Sequence, residues 1–264
     1  MKRHAGFQLI AAGVCCSVVF LSSSSKAQPI NHGDFMGDAV WFRGVQEDSG
    51  TDPTPLYGDP TVFGNSLDFD PVSFNAFAAG AGGLDLTDGT LSMKIEAKPG
   101  VGISQLLYNE AGDFTLLGFG TDNTLSSVRA AFFVNVLEVD GAGITPINLD
   151  FAMDMSPSGG VYRLAEQGGG PLQQGNWLGN LTVDVDQALA DAGVPFDIGA
   201  TLVTVTLDNT LSALSQDGTS AFIAKKDFGG TSITVVVPEP ASLLLMAFGL
   251  VGLLFSRSLV RRRR

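Results

Sequence analysis

The sequence predicts an all-β protein whose body is an antiparallel β-sandwich or a related jelly roll, with one short helix. Three observations favour this class. Several short segments alternate apolar and polar residues with a period of two. Turn-forming residues separate these segments at strand-like spacing, and one segment has the pattern of a helix. The chain shows no repeat of fixed period, which disfavours a propeller or a solenoid.

The strand candidates show either strict alternation or a high content of β-branched residues. In residues 91–97, Leu91, Met93 and Ile95 face one side, and polar residues face the other. Residues 128–140 are apolar on both faces, which predicts a central strand covered on both sides, or two strands joined by a bulge. The other candidates are residues 39–45, 113–119, 147–153, 180–186, 201–209, 221–227 and 231–237.

Residues 184–193 are predicted to contain the helix. Asp184 or Asp186 can serve as its N-cap, and Gly193 stands where glycine commonly ends a helix. Two long loops are expected, at residues 51–60 with three prolines and at glycine-rich residues 166–175. Asp-Gly or Ser/Pro/Gly groups predict turns at residues 87–90, 139–143, 156–160 and 216–219.

The N-terminal 27 residues have the pattern of a secretory signal peptide. Lys2 and Arg3 precede an apolar run, and small residues then lead to a predicted cleavage between Ala27 and Gln28. The apolar run is short for a membrane span. We therefore divide the chain into a signal peptide (1–27), an extracytoplasmic body (28–237) and a C-terminal segment (238–264).

The body is strongly acidic and has no cysteine. Its 26 Asp and Glu residues face 7 Lys and Arg residues, so its formal charge is −19, against −12 for the whole chain. A surface of this charge repels DNA and anionic lipid, so nucleic-acid binding is not expected. Cys15 and Cys16 both lie in the signal peptide, so disulfides cannot stabilise the mature body.

The body lacks a complete residue set for a common catalytic mechanism, and we do not expect an enzyme. His32 is its only histidine, and its place near the new N-terminus favours a solvated position. A catalytic triad and a His/Cys zinc site are therefore not expected. Paired carboxylates could serve a glycosidase, although such pairs arise by chance in so acidic a chain. These pairs are Glu138 with Asp140, Asp150 with Asp154, and Asp184 with Asp186.

Two binding functions remain open. Loop carboxylates and carbonyls are the ligands that Ca²⁺ prefers, although the chain has no complete calcium-loop motif and no other cofactor is expected. Aromatic rings stack on sugars, and Tyr57 and Trp177 lie in or beside the two long loops, where binding residues often occur. For Trp41 we expect core packing. The candidate calcium ligands are Asp68, Asp70, Asp85 and Asp88.

The C-terminal segment has the pattern of a membrane-directed signal. Pro238, Glu239 and Pro240 precede an apolar run, residues 241–255, which is about 22 Å long as a helix. Extension of the helix to residue 260 would let it cross a membrane. The positive-inside rule then places the terminal cluster in the cytoplasm and the body outside, as the signal peptide also requires. That cluster is Arg261, Arg262, Arg263 and Arg264.

This arrangement over residues 238–264 resembles the PEP-CTERM sorting domain. The resemblance implies a bacterial substrate of an exosortase, a membrane-embedded processing enzyme, after export by the general secretion machinery. The tail would hold the protein at the inner membrane and would be cut near Pro238–Pro240, with Glu239 as a recognition residue. The body would then pass to the cell surface or the exopolysaccharide matrix. A permanent anchor that is never cut is the alternative.

We therefore expect an exported structural or adhesive component of the cell surface or extracellular matrix. A carbohydrate-binding or calcium-dependent module of the exopolysaccharide matrix is the alternative, and a carboxylate-based hydrolase is the third.

Overall fold

The computed structural model describes residues 28–165, 171–226 and 231–238, which form fifteen strands, one α-helix and one 3-10 turn. The elements, in chain order, are β1 (Ile30–Met36), β2 (Val40–Asp48), β3 (Thr61–Phe63), β4 (Ser66–Phe69), β5 (Asn75–Ala79), β6 (Leu84–Ala97), β7 (Gln105–Gly118), β8 (Leu125–Val139), β9 (Ala142–Ala152), β10 (Asp154–Ser156), the 3-10 turn Ser158–Gly160, β11 (Val161–Arg163), β12 (Leu172–Asp184), α1 (Val185–Asp191), β13 (Ala200–Leu214), β14 (Thr219–Lys225) and β15 (Thr231–Val236).

The strands form two antiparallel sheets that enclose one core. The first sheet has the order β1-β2-β6-β13-β8, and both β9 and β11 pair with the far edge of β8. The second sheet is built around β7, which pairs with β12 along one edge. The other edge of β7 pairs with β15 in one half and with β14 in the other half. β15 continues to β4 and β3, and β14 continues to β5. The predicted sandwich class is confirmed.

Strict alternation explains why the long strands lie where they do. In β13 the residues Val203, Val205 and Leu207 are buried, and the residues between them face outward. β8 alternates in the same way, with Phe132 fully buried and Phe133 37% exposed. The expectation that residues 128–140 are covered on both faces is therefore wrong. The bulge alternative comes closer, because the register of β8 shifts between Val136 and Glu138, although the strand continues through it.

The predicted helix is present and shorter than its sequence pattern. Asp184 is the N-cap, and its side chain accepts a hydrogen bond of 2.9 Å from the backbone N–H of Gln187. Gly193 follows the helix with φ +69°, a left-handed conformation that glycine adopts without strain.

Three of the four predicted turns are confirmed, at residues 139–143, 156–160 and 216–219. Residues 87–90 are the exception, because they lie inside β6. Asp-Gly is a local turn signal, but Gly89 serves packing here: a Cβ at this position would lie 2.9 Å from the ring of Phe74. Of the expected loop at residues 166–175, the last four residues belong to β12, and residues 166–170 lie outside the described part.

Several terminal predictions lie outside the described residues. These are the signal peptide with Ala27, the sorting residues Glu239 and Pro240, the apolar run, and the cluster Arg261–Arg264. Within the described ranges, no helix has the length and apolarity that a membrane crossing requires.

Candidate functional site

A cluster of three polar side chains, Lys225, Glu110 and Asn209, is buried between the two sheets and is called the polar cluster below. Lys225 on β14 and Glu110 on β7 belong to the second sheet, and Asn209 on β13 belongs to the first. Each is at most 1% exposed. The cluster therefore joins the two sheets through side chains that water does not reach.

The hydrogen bonds of the polar cluster use the full donor capacity of the lysine. The Nζ atom of Lys225 lies 2.5 Å from Oε2 of Glu110, 2.7 Å from Oδ1 of Asn209 and 3.2 Å from the hydroxyl of Tyr108. The side-chain N–H₂ group of Asn209 donates to both carboxylate oxygens of Glu110, at 3.1 and 2.9 Å. Three N–H donors thus have three acceptors, as a buried ammonium requires.

Aromatic rings surround the polar cluster. The Nζ atom of Lys225 lies 5.0 Å from the ring centre of Tyr57, 5.2 Å from that of Phe74 and 5.9 Å from that of Tyr108. The Tyr108 hydroxyl donates to Oε2 of Glu110 at 2.6 Å. The Tyr57 hydroxyl lies 2.8 Å from the carbonyl oxygen of Gly89 and 2.9 Å from Oδ1 of Asn209.

This environment changes the proton affinity of the buried groups. Burial lowers the pKa of the Lys225 ammonium from its ordinary value, and the adjacent Glu110 carboxylate opposes that change. Burial also raises the pKa of Tyr57 and Tyr108 well above 10, with a further contribution from the charge of Glu110. Both hydroxyls therefore remain protonated donors, whereas the lysine is closer to its neutral amine form than a surface lysine.

Two glycines make room for the polar cluster. Gly112 is the register partner of Lys225 on β7, and Gly89 is the register partner of Asn209 on β6. A Cβ at Gly112 would come within 2.4 Å of the Trp177 ring and would collide with the Ala224 carbonyl oxygen. The absence of side chains at these two positions lets aromatic rings pack directly over the backbone beside the cluster.

A second buried pair fixes the proline-rich loop over the core. The side chains of His32 and Glu47 are 4% and 0% exposed, and Nε2 of His32 lies 3.2 Å from Oε1 of Glu47. The other oxygen of Glu47 accepts the backbone N–H groups of Leu56 and Tyr57 at 3.0 and 2.8 Å. The expected solvated position of His32 is therefore wrong, because an inward carboxylate on β2 draws the histidine of β1 inward.

The two aromatic residues predicted to bind sugar are both in the core. Tyr57 and Trp177 are 0% exposed, so neither ring offers a face for stacking on a carbohydrate. The bonds to Glu47 pull Tyr57 inward from the loop, and the inward phase of β12 places Trp177 against Gly112. This part of the carbohydrate hypothesis is wrong in its choice of residues.

The predicted calcium ligands do not form a ligand set. Asp85 accepts the backbone N–H groups of Phe77 and Leu86 at 2.7 and 3.1 Å. Asp88 lies near Asp208, whose pKa is raised by burial and then by the charge of Asp88. Asp68 lies on β4, and Asp70 follows that strand. No three His, Cys, Asp or Glu side chains of the described ranges are grouped as a metal ion requires.

Two acids from the candidate glycosidase pairs are occupied by backbone donors instead. Asp140 accepts the N–H groups of Asp197, Ile198 and Gly199 at 2.9, 2.7 and 3.0 Å, which lowers the pKa of its carboxyl. Asp184 caps α1. These side chains hold loops and helix ends in place.

The outer face of the first sheet carries a group of basic residues around Trp41. Trp41 is half-buried on this outer face rather than packed in the core as expected. The guanidinium of Arg43 lies 4.1 Å from its ring centre, and Nζ of Lys98 lies 5.8 Å from it. Arg43 also pairs with Asp34 at 3.0 Å and with Glu96 at 3.1 Å. A shallow depression of about 380 Å³ lies beside this group, lined by Arg43, Ser92, Lys94, Thr204 and Thr206.

Comparison with known families identifies the C-terminal segment. Residues 236–264 match the PEP-CTERM protein-sorting motif. The chain ends in a PEP-CTERM motif. This motif implies an exported protein that carries a C-terminal membrane-anchor region and is processed by an exosortase. Within the PEP-CTERM segment, the structure describes residues 236–238, at the end of β15.

Similarity outside the PEP-CTERM segment is weak, and no protein of curated function matches the chain. TmCBM61 in complex with β-1,4-galactotriose is 9% identical over 65% of this chain and 70% of its own, with a TM-score of 0.21. The active domain of bacteriophage CBA120 tailspike protein 4 is 12% identical over 80% and 20%, with a TM-score of 0.17. A family 12 xyloglucanase from Bacillus licheniformis is 12% identical over 73% and 99%, with a TM-score of 0.21. At these scores the similarity says nothing about a ligand.

Sequence reasoning missed the polar cluster, although a signal exists. Lys225 shares the inward phase of its segment with Ala221 and Ile223, so alternation alone turns its side chain toward the core.

Proposed function

We propose that the mature body is a non-enzymatic structural component of the cell surface or extracellular matrix, delivered there through the PEP-CTERM segment. The observation that carries this proposal is that one chain combines a sorting motif with a sandwich that encloses the polar cluster and the His32–Glu47 pair in its core. A catalytic group must meet its substrate, and a site that works on polymers needs an open cleft.

The described acids and bases support a structural role. The polar cluster and the His32–Glu47 pair are closed off from solvent. Asp140 and Asp184 bind backbone N–H groups, and Lys226 pairs with Asp113 at the surface. The body has no cysteine, so it must be stable without disulfides. These buried contacts contribute part of that stability.

The test is intact mass spectrometry of the native protein, recovered separately from membranes and from the extracellular fraction. We expect the extracellular species to begin near Gln28 and to end near Pro238–Pro240. A Glu239→Ala variant should accumulate in membranes with its C-terminus intact, whereas the matched Asp217→Ala variant, altered in an exposed turn, should be released normally. If the wild-type protein were found only in membranes and still carried Arg264, the proposal would be contradicted.

Binding of an acidic polysaccharide at the outer face of the first sheet is a second candidate function. Three of the seven cations of the body, Arg43, Lys94 and Lys98, lie on or beside this face around Trp41, although the body as a whole is strongly acidic. Two carboxylates, Asp34 and Glu96, pair with Arg43 there, so the excess positive charge of the group comes from the lysines. A partly exposed indole beside cations and hydroxyls suits a sugar ring that carries a carboxylate. This grouping favours a uronic-acid polymer over a neutral one.

Affinity electrophoresis through gels that contain a polyuronate tests this candidate. We expect the gel to retard the wild-type protein, and added salt to weaken the retardation because the contacts are exposed. Trp41→Ala should reduce the retardation, whereas Phe63→Ala, at a ring that is 88% exposed on β3 of the other sheet, should not. Equal retardation of both variants, or none of the wild type, would exclude the site.

A further inference from the structure

The polar cluster places an amine nucleophile against a carboxamide inside a dry core. Nζ of Lys225 lies 2.7 Å from Oδ1 of Asn209, and a carbonyl bond is about 1.2 Å long, so Nζ lies within about 3.9 Å of the amide carbon Cγ. Reacting atoms in productive complexes stand about 3–3.5 Å apart. A small side-chain movement thus brings nitrogen and carbon to reacting distance.

We propose that Lys225 and Asn209 form an intramolecular isopeptide bond, with Glu110 as the proton carrier and ammonia as the leaving group. The new bond joins Nζ of Lys225 to Cγ of Asn209 and replaces the bond from Cγ to Nδ2. The product amide carries no charge. The step consumes no oxidant and no cofactor.

Glu110 is placed to move each proton of the reaction. Its Oε2 atom lies 2.5 Å from Nζ of Lys225 and can accept a proton from the ammonium, which leaves a nucleophilic amine. The amine attacks Cγ, and the carbonyl electron pair moves to Oδ1. Both oxygens of Glu110 also accept hydrogen bonds from Nδ2 of Asn209, so the acid can protonate this nitrogen as it leaves.

The proton count closes. Of the three protons on the Lys225 ammonium, one remains in the new amide and one passes through Glu110 to the departing ammonia. The third stays on Glu110 as a carboxylic acid or leaves with ammonia as ammonium. In the first case the buried ion pair becomes a neutral amide beside a neutral acid, so no charge remains in the core. In the second case Glu110 keeps its charge without a cation, which the core disfavours, so the neutral acid is the favoured product.

The surroundings favour attack over hydrolysis. Burial and the rings of Tyr57, Phe74 and Tyr108 exclude water, which would otherwise compete with the amine. The shift in the pKa of Lys225 caused by burial increases the share of the amine form. The Tyr57 hydroxyl, 2.9 Å from Oδ1 of Asn209, is a donor for the negative charge that develops on this oxygen.

The bond would link the two sheets covalently, because Asn209 lies in the first and Lys225 in the second. It would take the place of the disulfide that a body without cysteine cannot form. This inference rests on the polar cluster alone and does not depend on the proposed delivery or on polysaccharide binding.

The sequence makes the bond simple to detect. An endoproteinase that cuts before aspartate separates residues 208–216 from residues 217–226, and each fragment holds one of the two partners. Native protein purified from the cells that produce it is denatured, digested and analysed by tandem mass spectrometry. We expect the two fragments to remain joined, with a mass about 17 Da below their sum, which is the mass of the lost ammonia.

Three variants assign the chemistry. Lys225→Met should abolish the joined fragment, and so should Glu110→Gln, which keeps the size of the side chain but removes its acid-base function. Lys226→Arg is the matched control, since this neighbouring lysine pairs with Asp113 at the surface, and the joined fragment should persist. Persistence of the link in Glu110→Gln would overturn the role given to Glu110.

Other outcomes contradict the bond itself. Separate and unmodified fragments from the wild-type protein would overturn the proposal whatever the variants do, so a variant that fails to fold does not weaken the test. A loss of ammonia located at Gln28 alone, where an N-terminal glutamine can cyclise, would also overturn it. A link from Lys225 to the fragment that holds Glu110 would show that the carboxylate, rather than the amide, is the acceptor.

Discussion

Replacement of Lys225 by methionine tests how much the polar cluster contributes to stability. Methionine keeps much of the side-chain length but removes the charge and three hydrogen bonds. Loss of one partner from a fully buried ion pair lowers the free energy of unfolding by about 3–5 kcal/mol. Solvent does not screen this pair, because the side chains of Lys225 and Glu110 are both 0% exposed. If the isopeptide bond has formed, the variant instead loses a constraint on a 16-residue separation, which contributes about 3 kcal/mol by analogy with a disulfide.

Whether the wild-type protein holds the ion pair or the isopeptide bond, the variant should lose at least about 3 kcal/mol of unfolding free energy. For a body of this size, 1 kcal/mol corresponds to about 2–4 °C in Tm, so Lys225→Met should lower Tm by at least about 6 °C. Lys226→Met is the matched control, since its ion pair with Asp113 has side chains that are 45% and 30% exposed. A surface pair of this kind contributes at most about 1 kcal/mol, so the expected shift is no more than about 4 °C.

The assay is thermal unfolding of both variants and the wild-type protein, followed by circular dichroism under one buffer condition and checked by urea titration. The larger effect should fall on the buried lysine in both measurements. Equal shifts for the two variants, or a Lys225→Met protein within about 2 °C of the wild type, would refute the reasoning that this ion pair is unscreened.

Three further predictions concern positions outside the polar cluster. Asp140 has a pKa below its ordinary 3.8, so its contribution to stability is present above that value and disappears as the pH falls through the folded pKa. Asp140→Asn should therefore lower Tm at neutral pH, and the gap to the wild type should close as the pH falls below the folded pKa; a gap that stays constant with pH would contradict this. Gly112→Ala should cost about 1–3 kcal/mol or more in urea unfolding because its Cβ overlaps Trp177, whereas Gly143→Ala, with open space around it, should cost much less. Asp184→Ala should cost about 1 kcal/mol through loss of the N-cap, and unchanged stability would mean that α1 does not depend on its cap.

The long strands could be predicted because each follows a simple rule. Residues 91–97 and 201–209 alternate because the core covers one face of each strand and solvent meets the other, and the structure places both in adjacent strands of one sheet. The cap of α1 could also be predicted, since Asp184 contacts a residue only three positions away. Local contacts leave a local pattern in the sequence.

The loop and end regions could not be predicted in the same way. Tyr57 carries the sequence features of a surface loop, but Glu47 on β2 binds the backbone of this loop and holds it against the core. His32 follows the same carboxylate inward. The Asp-Gly sequence at Gly89 predicts a turn, but glycine stands there because the ring of Phe74 leaves no space for a Cβ. The sequence alone does not distinguish these two reasons for a glycine. Each error comes from a contact between residues far apart in sequence.

The polar cluster lies between these two cases. Each of its members occupies the inward phase of its own strand: Lys225 after Ala221 and Ile223, and Asn209 after Leu207. Glu110 stands in the inward phase of β7 in the same way. Once the strand bounds are known from the structure, periodicity therefore turns three polar side chains inward, and a buried cation requires a partner. Glu110 lies outside the predicted strand 113–119, so the sequence alone did not place it. Periodicity cannot say that the three meet, because that depends on how the two sheets are stacked. The complementary chemistry of a cation, an acid and an amide, each in a mostly apolar row, is the signal that links them, and the same complementarity allows an amide bond to form between them.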